Sequence, residues 1–273
     1  MLILLPPSET KAIRVRGAPL DLESLSSPGL LAARRAVIDA LARVSADPDA
    51  ARQLGVSPNL TAEIARNTRL ETAPTLRAGE VYTGVLYDAL DLAGLDPSAR
   101  RRAARRIVIV SAVFGALRLT DRVPPYRLSM GVNLPGVGPL AGHWRAPLAQ
   151  VMDGAASRGL IIDCRSSTYA AAWTPPPGSP AARRWVQIHV PGATHMAKQT
   201  RGLVARALCE NPTNPTSPQG LVPLLKDRFD VSIHEPSSVR EPWVLSARAT
   251  PQTHHAEEPQ THHAEELTRS KAQ

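Results

Sequence analysis

Met1–Leu5 (MLILL) is apolar without interruption and is halted by Pro6 and Pro7. A strand with one wet face alternates apolar and polar residues, whereas one buried on both faces does not. Ile107–Val110 (IVIV), Leu160–Ile162 and Val186–Val190 are read with it as strands of the same kind. Strands buried on both faces need helices above and below them, so the chain is expected to be α/β, with a central mixed sheet flanked by helices.

Helical stretches fall between these runs. Leu30–Val44 places Leu31, Val37, Ile38, Leu41 and Val44 at near-helical spacing, and Val81–Leu92, Pro97–Arg105, Leu140–Ala156 and Thr194–Glu210 are further candidates. Asp96 followed by Pro97 reads as a capped start with proline in the first turn. Asp47–Asn67 (DPDAARQLGVSPNLTAEIARN) reads as a helix–hairpin–helix element, with Asp47 and Ser57 as caps and Gly55 supplying a left-handed turn. Such a turn can offer backbone N–H groups to a DNA phosphate, although an ordinary helical hairpin has the same pattern.

With 273 residues, residues 1–248 suit a single domain. The remainder, 249–273, repeats PQTHHAEE in tandem and has almost nothing apolar to pack, so a disordered tail is expected. Its four histidines do not make a built metal site. Two cysteines, Cys164 and Cys209, exclude a disulfide scaffold and suit a reducing compartment. The first apolar run is too short for a signal peptide, and none approaches the roughly 20 residues of a membrane span. A cytoplasmic protein that avoids membranes is expected, with no protein partner.

The net charge of +8 includes −2 from residues 251–273, which leaves +10 on the rest. A basic body suits double-stranded DNA or another polyanion. Several of these strands also run out into small polar and basic residues. Met1–Leu5 leads to Ser8, Glu9, Thr10 and Lys11; Ile107–Val110 leads to Ser111, Arg118, Asp121, Tyr126 and Arg127; Leu160–Ile162 leads to Asp163, Arg165, Ser167 and Tyr169. If these strands are parallel, the clusters meet at one sheet edge, where α/β folds bind ligands. Lys198 and Arg201 share a helix face and join them as anion-binding candidates. Asp121 and Asp163 are the candidate general base or nucleophile of an enzyme. Arg101, Arg102, Arg105 and Arg106 form a basic stripe at helical spacing. There is no Walker loop, Rossmann fingerprint, Cys-x-x-Cys or metalloprotease histidine pair, so neither a cofactor nor a metal is expected.

MLILLPPSETK, VYTG (Val81–Gly84), SAVFGALRLTDRVPPYRLSMG, HW (His143–Trp144) and AKQTRG (Ala197–Gly202), in this order, resemble the YaaA family of peroxide stress proteins. The resemblance runs from Met1 to about Leu245. It implies a compact α/β fold with a helix–hairpin–helix and a basic cleft. It also implies a cytosolic role in limiting hydrogen peroxide damage, with DNA binding as the molecular activity. An enzyme acting on a nucleotide or nucleobase in the same cleft is the alternative. The matched positions include Tyr82, Thr83, Gly84, Arg118, Asp121, Tyr126, Arg127, Lys198, Arg201 and Gly202. Many members read SPAKT after the first strand, where this chain reads PPSETK and carries Lys11 two positions later.

Overall fold

A computed structural model of the chain describes residues 1–192 and 194–249. Seven strands form one sheet: β1 Leu2–Leu5, β2 Ile107–Ser111, β3 Gly115–Leu117, β4 Ile161–Asp163, β5 Trp185–His189, β6 Phe229–His234 and β7 Trp243–Ala249. Their order across the sheet is β6-β7-β5-β4-β1-β2-β3. The five inner strands are parallel, and β3 and β6 run antiparallel at the two edges. Every residue of β1, β2 and β4 is buried, as continuous apolar runs require.

The edge strands do not follow from such runs. In β6 buried and open positions alternate along FDVSIH, so its signal is a period of two. Ala249 pairs with Phe229, so the sheet extends one residue into the segment expected to be tail. The PQTHHAEE repeats lie outside the described residues.

Four longer helices and one short one accompany the sheet: α1 Leu31–Ser45, the six-residue α2 Val85–Leu90, α3 Pro97–Arg106, α4 Leu140–Ala155 and α5 Thr194–Glu210. Asp96 caps α3 through the N–H groups of Ser98 and Ala99, as its sequence predicts. The helix predicted over Val81–Leu92 is interrupted at Gly84, whose φ of 91° only glycine adopts easily. Among the described residues no helix is long and apolar enough to cross a membrane.

The Asp47–Asn67 segment departs from its prediction. It holds two helices of four and six residues, Ala50–Gln53 and Thr61–Arg66, neither starting at its proline. Asp47 and Ser57 accept from Asp49 N–H (2.7 Å) and Asn59 N–H (3.3 Å), so each closes a turn around a proline instead of capping a helix. Gly55 is left-handed at φ 62° as expected, but its N–H is spent on the Arg52 carbonyl. A helix–hairpin–helix is not established by this geometry.

The strand order also defines a crevice. The chain leaves β1 toward β2 and leaves β4 toward β5, in opposite directions across the sheet. The carboxyl ends of β1 and β4 therefore flank a topological switch point.

Beside it, α5 lies directly on α2. A Cβ on Gly202 would stand 2.2 Å from the Leu86 carbonyl oxygen and 2.9 Å from Ala89 Cβ. Replacing Gly202 with Ala should therefore cost about 1–3 kcal/mol through overpacking. Urea denaturation should register the loss as a lower midpoint at unchanged slope.

Candidate functional site

After β1 the chain turns at Pro6–Pro7 and runs antiparallel to Val81–Thr83. Lys11 bridges Tyr82, and Ala12 N–H donates to the Val81 carbonyl at 2.8 Å. Ser8 accepts from Thr83 N–H at 3.1 Å and donates its own hydroxyl to the Thr10 carbonyl. These bonds hold Lys11 at the carboxyl end of β1.

A chain of hydroxyls lies beneath it. Ser111, the last residue of β2, accepts from the N–H groups of Val113 and Phe114 and bonds the Tyr126 hydroxyl at 2.7 Å. Tyr126 continues to the Tyr82 hydroxyl at 3.1 Å, and Tyr87 donates to the Pro6 carbonyl at 2.7 Å. Tyr82 stacks on Tyr87 with centroids 5.4 Å apart, and Phe114 meets Tyr126 edge-on at 5.5 Å. The chain has only four tyrosines. The fourth, Tyr169, is close enough for its phenol to bear on the other three. Burial drives all of them upward, Tyr169 to about 12, so they remain neutral hydroxyls.

Lys11 sits over this floor. Its Nζ is 4.2 Å from the Tyr126 ring centroid and 5.6 Å from that of Tyr82. It donates to the carbonyls of Ser8 (2.7 Å) and Glu9 (3.4 Å), and no carboxylate pairs with it among the described residues. Burial pushes its pKa down to about 7; the Arg127 charge adds to the fall and Glu9 opposes it. The Glu9 carboxylate is drawn instead to Arg127, 3.2 Å away.

Arg127 is held by its backbone. The buried Asn67 amide takes its N–H (2.9 Å), donates to its carbonyl (3.0 Å) and also donates to Ser45 at the end of α1 (3.1 Å). Asn67 was not singled out from sequence; as the last residue of the predicted hairpin it looked like a helix end. The hairpin segment thus positions PYRLSMG. That loop also faces the residues after β4, since a Cβ on Gly131 would lie 3.3 Å from Thr168.

Other predicted site residues lie elsewhere. Arg118 follows β3, which returns antiparallel along β2, so it is carried back to the amino end of the parallel strands. There it donates to the Arg105 carbonyl at 3.0 Å, at the end of α3. Asp121 is buried and accepts from Ser26 N–H (2.9 Å), the Ser26 hydroxyl (2.8 Å) and Arg118 N–H (2.8 Å). Asp163 is fully buried in a two-bond pair with Arg165 (2.8 and 2.7 Å), and Trp185 donates to it at 3.1 Å. Neither carboxylate is free to act as base or nucleophile.

Arg201 is half-buried and donates to the Ile188 carbonyl at 3.3 Å, while Lys198 is exposed. The basic stripe on α3 is largely structural. Arg102 donates to Cys209 (2.7 Å) and Glu210 (2.6 Å), and Arg106 to Leu208 and Asn211, so together they cap the carboxyl end of α5. The edge formed by the carboxyl ends of the strands thus keeps Lys11, Tyr126, Arg127, Lys198 and Arg201, and loses Arg118 and Asp121.

Comparison with known proteins shows the family. The profile of the peroxide stress protein YaaA family matches residues 1–232. A UPF0246 protein of Streptomyces coelicolor is 51% identical over 253 residues, covering 90% of this chain and 97% of its own. The chain belongs to the YaaA family. Further UPF0246 relatives come from Corynebacterium efficiens (41% identical, 80% of this chain and 88% of the relative) and Cereibacter sphaeroides (32%, 78% and 88%).

The YaaA motifs acquire physical roles here. VYTG supplies the partner strand of Lys11 and Tyr82, PYRL supplies Tyr126 and Arg127, and the glycine of AKQTRG admits α2. Trp144 of the HW pair donates to the Ala112 carbonyl at 2.8 Å and braces the turn after β2. The setting of the two cysteines disfavours oxidation. Both are buried, and burial pushes each thiol up to about 12, leaving almost no thiolate to be oxidised. Among the described residues no three His, Cys, Asp or Glu side chains gather as a metal site would require.

Two outcomes follow from these pairings. Arg165→Ala would strand Asp163 and should cost about 3–5 kcal/mol; Arg201→Ala gives up one carbonyl bond and should cost about 1 kcal/mol. Chemical denaturation of the pair reads the difference. Lys11 has a folded-state pKa below its unfolded one, so the unfolded chain binds more protons between about pH 7 and 10.5. Its burial penalty is full below pH 7 and is relieved as pH rises. Lys11→Met should therefore be more stable than the parent at pH 6.5, with the gap closing toward pH 10.

Proposed function

We propose that this YaaA-family protein meets peroxide stress in the cytoplasm by binding a polyanion, duplex DNA first, across the carboxyl edge of its sheet. The observation that carries this reading is the cation pair Lys11–Arg127. Lys11 has carbonyls and a ring for company but no carboxylate, and Arg127 has one exposed acid, Glu9, that a ligand can displace. Cations held short of counter-charge are stabilised by an arriving phosphate. Exposed Lys198 and half-buried Arg201, on a neighbouring helix, widen the cationic surface.

The net charge alone would not support this reading, because Arg102, Arg106, Arg184 and Arg206 donate mainly to backbone carbonyls. The Lys11 edge is different because, among the described residues, Lys11 and Arg127 have a single exposed acid, Glu9, between them. An enzymatic reading through Asp121 or Asp163 has no free carboxylate to use.

Duplex affinity should fall with salt at a log–log slope of roughly −4 to −5, as for about 4–6 neutralised phosphates. Lys198→Ala should flatten the slope by about 1 without changing sequence preference. Binding should also tighten as pH falls from 8 to 6.5, because phosphate favours the charged form of Lys11. Fluorescence anisotropy over a salt and pH grid makes the measurement. Absent or salt-independent affinity would sink the reading.

A further inference from the structure

Anion binding accounts for the charge near Lys11 but not for its enclosure. A lysine that served only as a phosphate contact would do better in water, as Lys198 and Lys226 are. Lys11 instead lies against tyrosine rings, its nearest acid diverted to Arg127. We propose that Lys11 is a nucleophilic amine that condenses with an aldehyde borne beside a phosphate, forming a Schiff base at the switch point between β1 and β4. The phosphate half of this ligand rests on the anion-binding reading above.

The hydrogen bonds of Lys11 suit the neutral amine. A neutral Nζ has two N–H donors and one lone pair. Its two acceptors are the carbonyls of Ser8 and Glu9, which match the donors and leave the lone pair uncommitted. The Tyr126 and Tyr82 rings cover part of its surroundings and exclude water there. Arg127, fixed by the Asn67 clamp, disfavours a second positive charge beside it and offers a bidentate donor for the phosphate. Desolvation and a neighbouring cation are the two devices that make a lysine nucleophilic. The fall of its pKa to about 7 agrees, since about half of Lys11 is then neutral at that pH.

The reaction needs no oxidant or reductant. The nitrogen lone pair adds to the carbonyl carbon to give a carbinolamine. The carbon–oxygen bond then breaks, and both nitrogen-bound hydrogens end on the oxygen that leaves as water. Amine plus aldehyde thus gives imine plus one water. The hydroxyls of Thr83 and Thr10, bonded to each other at 3.3 Å across the paired segments, can pass the protons. A phosphate-bearing aldehyde has two sources: an open-chain sugar phosphate or an abasic site in DNA.

The experiment uses the full chain and sodium cyanoborohydride, which reduces an imine to a stable amine. One arm contains glyceraldehyde 3-phosphate, a second a duplex with one abasic site, and a third measures binding of the intact duplex. The chain has four lysines, Lys11, Lys198, Lys226 and Lys271, so peptide mass mapping assigns the adduct directly. The expected result is one adduct at Lys11, at least tenfold over the other three, forming faster as pH rises from 6 toward 8. Lys11→Arg and Lys11→Met should lower trapping at least tenfold, with circular dichroism as the check on folding. If both variants misfold, the map on the parent chain decides. Trapping by the abasic duplex alone assigns the ligand to DNA, and trapping by the triose phosphate alone assigns it to a metabolite. An adduct spread evenly over the lysines, or none in either arm, overturns the proposal. If the intact duplex still binds in that case, the anion-binding reading survives on its own.

Discussion

The hydroxyl chain Ser111–Tyr126–Tyr82 joins three segments that are distant in sequence at the one place where the sheet opens. Ser111 belongs to a central strand, Tyr126 to the long loop after the β2–β3 hairpin, and Tyr82 to the stretch that pairs with Lys11. Each hydroxyl satisfies another in a region sealed from water, where an unmet polar group would cost about 1–3 kcal/mol. The chain therefore fixes the loop to the strand and the strand to the lysine. Burial keeps the phenols protonated, so the arrangement holds across the ordinary pH range.

Arginine serves a different purpose in most of this molecule. Arg34 is wholly buried and donates to the carbonyls of Ser26, Phe114 and Ala116, with one nitrogen left unpartnered. Burial lowers its pKa to about 10, and nearby Asp121 resists the fall. Arg165 reaches the Trp173 carbonyl as well as Asp163. A guanidinium has five donors in a rigid plane, which suits it to collect carbonyls at helix ends and loops. The high isoelectric point is in good part a consequence of this use.

Four of the five inner strands, β1, β2, β4 and β5, were legible as apolar runs, whereas β7, whose residues are mostly only half-buried, carries no such run; α5 runs over Thr194–Glu210 as its pattern predicts. The edge strands were not, since half-open strands carry only alternation. Arg118 illustrates a different limit. It sits near Tyr126 in sequence, but the β2–β3 hairpin first carries the chain to Arg118 at the amino end of the strands before it returns to Tyr126, and no local pattern reveals that excursion. The saturation of Asp163 was equally hidden, because a pairing two residues away depends on the strand end bending back on itself. Lys11 was found as a basic residue just beyond the first buried strand. A cue for its setting was also present in composition: in a chain poor in aromatics, all four tyrosines gather at one place.

The close approach at Gly202 has a mechanical consequence. Helix α2 is pressed by the α5 backbone on one side, and at its start Gly84 leaves only 3.0 Å between its missing Cβ and the Thr10 hydroxyl. At Gly202 the closest atom is a backbone carbonyl, which has no rotamer to change, and at Gly84 only the Thr10 hydroxyl can give way. Movement of α5 would therefore reach Thr83 and the lysine segment with little slack, as through a bar. The lysine segment and α5 are geared to each other through α2.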